Sequence, residues 1–154
     1  MIVESQKNFG RFYNDFNVGD VYKHWPGKTI TESDNNLFCL ITMNHHPVHL
    51  DKEYVKTHKY EKILVVGTLV LSLAVGLSVK DTSGKAIANL EYTEITHHLP
   101  VFVNDTIYVE SEVIEKRISK TNPSRGIVFL KTIARNQNSK IILTLKRKIL
   151  VNKN

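Results

Sequence analysis

The longest apolar run of the sequence extends from Ile63 to Val79, interrupted by Gly67, Thr68, Ser72, Gly76 and Ser78. It falls short of the roughly 18 consecutive apolar residues of a membrane span. Thr68 to Val79 is too long for an ordinary strand and apolar almost all round, and Asp81 to Gly84 end it. A helix without a polar face belongs in the middle of a fold, so this segment is predicted to be a buried central helix that other elements must wrap.

The remaining patterns supply the wrapping. After the run, strands are predicted over Ala86 to Thr96, Thr106 to Ile118, Gly126 to Asn136 and Lys140 to Val151, with breaks at Pro100, Asn104-Asp105, Asn122-Pro123-Ser124 and Asn136 to Ser139. In the second strand Ile107, Val109, Ser111 and Val113 share one face, while Glu110, Glu112 and Lys116 share the other. Before the run, a strand is expected over Val21 to Lys28, its end disturbed by Pro26-Gly27. Thr31 and Asp34 have the spacing of a capping box, directly ahead of Leu37 to Ile41, which predicts a helix ending near Asn44. Pro47 disfavours helical geometry at His46, so Asn44 to Leu50 should form a turn, with Asp51 capping a short helix through Tyr54 and Val55. Gly10 to Gly19 is read as an ordered loop pinned by Phe12, Tyr13 and Phe16. An antiparallel sheet wrapped around one long helix is the α+β arrangement called a hot dog. With no repeat, low-complexity tract or linker in sight, residues 1–154 are read as a single domain.

Bulk properties exclude several classes. The chain has 154 residues, 42% hydrophobic and 23% charged, enough for one real core. Its single cysteine, Cys39, sits in an apolar stretch and is expected to be a core residue, with no disulfide framework. The formal charge of +6 comes from scattered lysines. The densest basic cluster, Lys146-Arg147-Lys148, falls inside a predicted strand, so neither nucleic acid nor membrane is expected as a partner. A mild basic excess agrees with a phosphate-bearing ligand. The opening residues, from Met1 to Lys7, lack the pattern of an export leader, which points to the cytoplasm. His45, His46, His49 and Asp51 invite a metal reading, but Pro47 breaks the helix that would align them and no second ligand cluster follows. No metal and no bound cofactor are therefore expected.

The turn itself reads Thr42-Met43-Asn44-His45-His46-Pro47-Val48-His49-Leu50-Asp51. Pro47, Val48, His49 and Asp51 resemble the motif that follows the first helix in the MaoC-like and (R)-specific enoyl-CoA hydratase family. Asn44 stands at that family's catalytic Asp position and His46 at its Asn position. The likeness covers almost the whole chain: Gly10 to Tyr13 with Phe16 to Asp20, Thr29 to Asn36, Val66-Gly67-Thr68-Leu69 at the start of the central helix, then Pro100-Val101 and Asn104-Asp105-Thr106. It implies a hot-dog lyase that adds water to, or removes it from, an acyl-CoA, the substrate itself carrying the coenzyme A.

On this resemblance His49 is the proton-transferring base and acid, since imidazole titrates near neutral pH. Asn44 orients the water, and Gly67 offers a backbone N–H at a helix N-terminus to the thioester oxygen, with Thr68 beside it as a further substrate-binding residue. Ser72, one turn further, either hydrogen-bonds the turn or acyl group or bonds back to its own helix. An amide cannot carry a proton. Either His49 therefore acts alone, or another acid substitutes, or the chain binds thioesters without hydrating them. A thioesterase is the third alternative, although it wants a carboxylate to direct water. His97-His98, ahead of Pro100, is read as exposed loop, and Trp25 and Tyr92 as ordinary sheet aromatics. The resemblance also implies two sheets joined edge to edge in a homodimer.

Overall fold

The computed structural model describes residues 5–154. The start of the stretch read above as leaderless, Met1 to Glu4, lies outside them. Short strands β1 (Val21–Lys23) and β2 (Lys28–Thr29) precede helices α1 (Glu32–Thr42), α2 (Lys52–Val55) and α3 (Gly67–Val79). Strands β3 (Ala86–His97), β4 (Thr106–Ile118), β5 (Arg125–Arg135) and β6 (Ile141–Asn152) follow. The sheet is antiparallel, ordered β1-β4-β5-β6-β3, and β2 also pairs with β4. This is the α+β hot-dog arrangement, and no helix among the described residues is long and apolar enough to cross a membrane.

One face of the sheet carries the core. Ile107 and Val109 of β4, Ala134 of β5, and Leu143 and Leu145 of β6 pack with Leu69, Val70 and Ala74 of α3 and with Cys39 of α1. Further along the same strands Val113, Val128, Leu130, Ile149 and Val151 are covered by Tyr13 and Phe16, the aromatic anchors of the N-terminal loop. Tyr13 lies so close to β5 that a Cβ on Gly126 would stand 2.0 Å from its ring, which explains a glycine inside that strand.

Between the two apolar clusters runs a polar belt. Ser111 and Thr132 are directly opposite in the sheet, their hydroxyls 2.9 Å apart, and Ser111 reaches His24 Nε2 at 2.9 Å. His24 Nδ1 meets Asp81 at 2.8 Å. Burial pushes the His24 pKa below its ordinary value despite the Asp81 carboxylate, so the ring is neutral at pH 7 and donates its Nδ1–H to Asp81. The central residue of the basic cluster, Arg147, faces inward and is only 1% exposed. Its guanidinium donates to Ser78 at 2.7 Å and to Thr82 at 3.0 Å, at the C-terminal end of α3, where the helix dipole favours a cation.

Three local expectations need correction. The Val21 to Lys28 strand is split in two, β1 ending at Lys23 and β2 starting at Lys28, with Pro26, which has no N–H to give a ladder, between them. Trp25 therefore stands outside the sheet, 82% exposed. α3 is also less enclosed than its composition implied: Thr68, Ser72 and Gly76, spaced one turn apart, form an outward stripe.

Candidate active site

The site is assembled around the N-terminus of α3. At α1 the capping box forms as spaced: Thr31 accepts from the Asp34 N–H at 3.1 Å and Asp34 accepts from the Thr31 N–H at 2.8 Å. Lys28, at 2.7 Å, and the Thr31 N–H hold the Asp34 carboxyl down at about 2. α1 stops at Thr42, two residues earlier than expected, where Met43 takes a left-handed conformation with φ 59°. The chain then forms a tight 3-10 turn over Pro47–His49, and Asp51 caps α2 by accepting from Glu53 and Tyr54 N–H groups, both at 2.9 Å.

His49 Nδ1 lies 2.8 Å from the carbonyl oxygen of Leu64. A carbonyl only accepts, so Nδ1 carries the hydrogen and Nε2 of the neutral ring holds the lone pair, the state a general base requires. The turn is joined to the helix start by Asn35, wholly buried on α1. Its amide nitrogen donates to the His49 carbonyl at 2.9 Å, and its amide oxygen accepts from Val66 N–H at 3.0 Å. Val66 is the residue before α3, and among the described residues no side chain caps that helix. Its first N–H groups, Gly67 among them, thus remain available to an incoming oxygen.

His49 and Gly67 line one cleft of about 360 Å³, with Tyr60, Val70, His97 and Val101 among its other walls. A bridge between Leu64 and Phe102, and the Val65 N–H to Val101 carbonyl bond of 2.8 Å, hold the segment after β3 against the approach to α3. That pairing brings His97 to the cleft. It is the last residue of β3 rather than loop, and its imidazole Cε1 lies 3.2 Å from where a Cβ on Gly67 would be.

The other sequence candidates lie elsewhere. Asn44 is not among the residues lining the cleft; its N–H donates to Cys39, and its side-chain oxygen accepts from His46 N–H at a long 3.4 Å. Ser72 bonds back to the Thr68 carbonyl at 2.8 Å, and Thr68 and Ser72 both sit on the outward stripe of α3. Asn35 went unmarked by sequence reasoning, and His97 was read as exposed loop without a role. A polar side chain on the same inward stripe as Phe38 and Cys39 was the available signal for Asn35. Among the described residues no group of three His, Cys, Asp or Glu side chains is placed to hold a metal.

A sheet wrapped on a helix whose open N-terminus faces a histidine-bearing turn defines a hot-dog protein. The sequence model described as MaoC like domain matches residues 14–135, and the chain belongs to that family. It is 29% identical over 146 residues, 95% of this chain and 42% of the relative, to a mesaconyl-CoA hydratase of Cereibacter sphaeroides. The chain thus spans less than half the length of that curated relative. Its structure resembles an R-hydratase from Pseudomonas aeruginosa with a TM-score of 0.77 and 25% identity, over 93% of this chain and 86% of the other. A Mycobacterium tuberculosis protein described as a double hotdog fold matches with a TM-score of 0.87 at 23% identity, over 94% of this chain and 45% of the other, a likeness of fold.

Proposed function

We propose that this chain is a hydro-lyase that reversibly adds water to an enoyl-CoA, with a short branched or dicarboxylic acyl group as the first substrate to try. The observation that carries this reading is the cleft itself. It joins an imidazole with its Nε2 lone pair directed by the Leu64 carbonyl to the uncapped start of α3. His49 Nε2 takes the proton from water as its oxygen attacks C3, and the Gly67 N–H holds the charge that gathers on the thioester oxygen. Asn44 lies in the turn that carries His49, outside the residues lining the cleft, and in this reading its side-chain amide, which both donates and accepts, orients the water from there. The names of the relatives support both the reaction type and the choice of substrate.

Mixed with crotonyl-CoA and with mesaconyl-CoA, the protein should consume enoyl absorbance on at least one of them without releasing free thiol. Asn44→Asp should preserve or raise that rate, and Asn44→Ala should lower it by an order of magnitude or more, since misplacing a reactant by about an ångström costs roughly a hundredfold. Thiol release would indicate a thioesterase, and loss of neither signal a binder without turnover.

The working unit is read as a homodimer joined along β3. β3 is the outer strand of the sheet, and its Ile87, Leu90, Tyr92 and Ile95 are exposed by 43, 48, 42 and 41%. An apolar, unpaired edge of this length invites a second sheet. Sedimentation at micromolar concentration should give twice the 17.6 kDa of one chain; a monomer would remove this part of the reading.

A further inference from the structure

Hydration of an enoyl thioester moves two protons: one leaves water, and one arrives at C2. His49 accounts for the first, and an amide at position 44 can carry neither. The carboxylates around the turn are engaged in structure. Asp34 is held by Lys28 and the Thr31 N–H, Glu32 is paired with Lys52 at 2.8 Å, and Asp51 caps α2. Among the described residues no acidic side chain lines the cleft.

We propose that His97 is the second proton carrier of this site, an inference that rests on the hydratase reading above. His97 lines the same cleft as His49. Its ring stands over the first residue of α3, with Cε1 and Nε2 3.2 and 3.3 Å from the Cβ position of Gly67. A thioester oxygen bound at the Gly67 N–H therefore brings the adjoining carbons next to this imidazole. Its sequence neighbour is otherwise occupied, since His98 Nε2 is bonded to the Thr144 hydroxyl at 2.8 Å. Tyr60 packs its ring on Phe102, with centroids 5.6 Å apart. Neither nitrogen of His97 meets a protein partner among the described residues, so both are available to reactants and solvent.

The step balances with His49 neutral and His97 protonated at the start. His49 Nε2 takes a proton from water while the water oxygen bonds to C3. The C2=C3 pair moves toward the thioester, leaving an enolate oxygen at the Gly67 N–H. His97 then delivers its proton to C2 and the carbonyl reforms. Water has been added across the double bond, His49 is left protonated and His97 neutral, and exchange with solvent resets both. The reverse sequence is the dehydration.

The test compares wild type, His97→Gln and His97→Ala on mesaconyl-CoA and crotonyl-CoA, with thermal melts to check folding. His97 is exposed, so melting temperatures should be unchanged. Both variants are expected to lose about a hundredfold in kcat, the usual worth of a positioned acid or base, with KM little altered. Added imidazole should restore turnover to His97→Ala, an effect that a packing role would not produce. Wild-type kcat in the variants, or a raised KM with kcat unchanged, would overturn the assignment while leaving the hydratase reading in place. A wild type inactive on both substrates would remove the reading and the assignment together.

Discussion

Replacing His49 by alanine is expected to lower enoyl-CoA hydration by at least about a hundredfold while leaving the protein folded, the loss typical of removing a general base. The fold should survive because the side chain makes one hydrogen bond among the described residues, from Nδ1 to the Leu64 carbonyl. The backbone of that segment is held independently, by the Leu64 N–H to Val48 carbonyl bond of 3.1 Å and by the bridge from Leu64 to Phe102. The 3-10 turn carrying His49 is likewise built from backbone bonds and from His46, whose Nδ1 accepts from Val48 N–H at 3.1 Å. Steady-state kinetics with a thermal melt would check this. Full turnover in a folded His49→Ala protein would make the histidine structural and leave the cleft without a base.

Asn35→Leu is expected to damage stability and turnover together. The side chain is wholly buried and branches as leucine does, so leucine occupies the same site with bulkier methyl groups while both hydrogen bonds vanish. Val66 N–H would then lie buried without a partner, at about 1–3 kcal/mol, and the part-buried His49 carbonyl would lose its donor at a smaller cost, for a loss of roughly 2–4 kcal/mol. The kinetic loss has a separate origin. Asn35 ties the turn bearing His49 to the residue preceding Gly67, and a relative shift of about an ångström is enough to cost roughly a hundredfold in rate. Asn35→Asp separates the two halves through pH, because its carboxylate accepts from Val66 N–H but cannot donate to the His49 carbonyl, whereas the neutral acid, which burial favours, does both. Urea unfolding and kcat, measured on both variants, decide the matter. A leucine variant as stable and as fast as wild type would show that the link is idle.

These two residues also mark how unevenly the site could be read from the chain. His49 was legible because Pro47-Val48-His49 lies in a local motif, behind a helix whose start is written in Thr31 and Asp34 and whose far end is limited by Pro47. Arg147 was legible in principle: strand alternation puts it on the face of Leu145 and Ile149, yet its charge argued for the surface. His97 was hidden for a different reason. A histidine at a strand end, three residues ahead of a proline, has no local feature that distinguishes an open loop from a cleft wall. Ser72, for which a helical back-bond was weighed against contact with substrate, makes the back-bond.

What the sequence by itself determined is everything governed by neighbours along the chain. The apolar run from Ile63 to Val79 required a central helix, alternation and turn residues marked the four long strands, and hydroxyl-to-acid spacing and Pro47 bounded α1 and the turn. Only the tertiary structure decided which of these pieces meet. The contacts that make the cleft join Asn35 to Val66, His49 to Leu64, and His97 to Gly67. Each depends on how β3 registers on β6, how Leu64 and Val65 lie against Val101 and Phe102, and how α1 seats its inward stripe. The physical reason is that helix and strand preferences act over a few residues, whereas a directed hydrogen bond or ring contact is set by close packing of segments far apart in the chain.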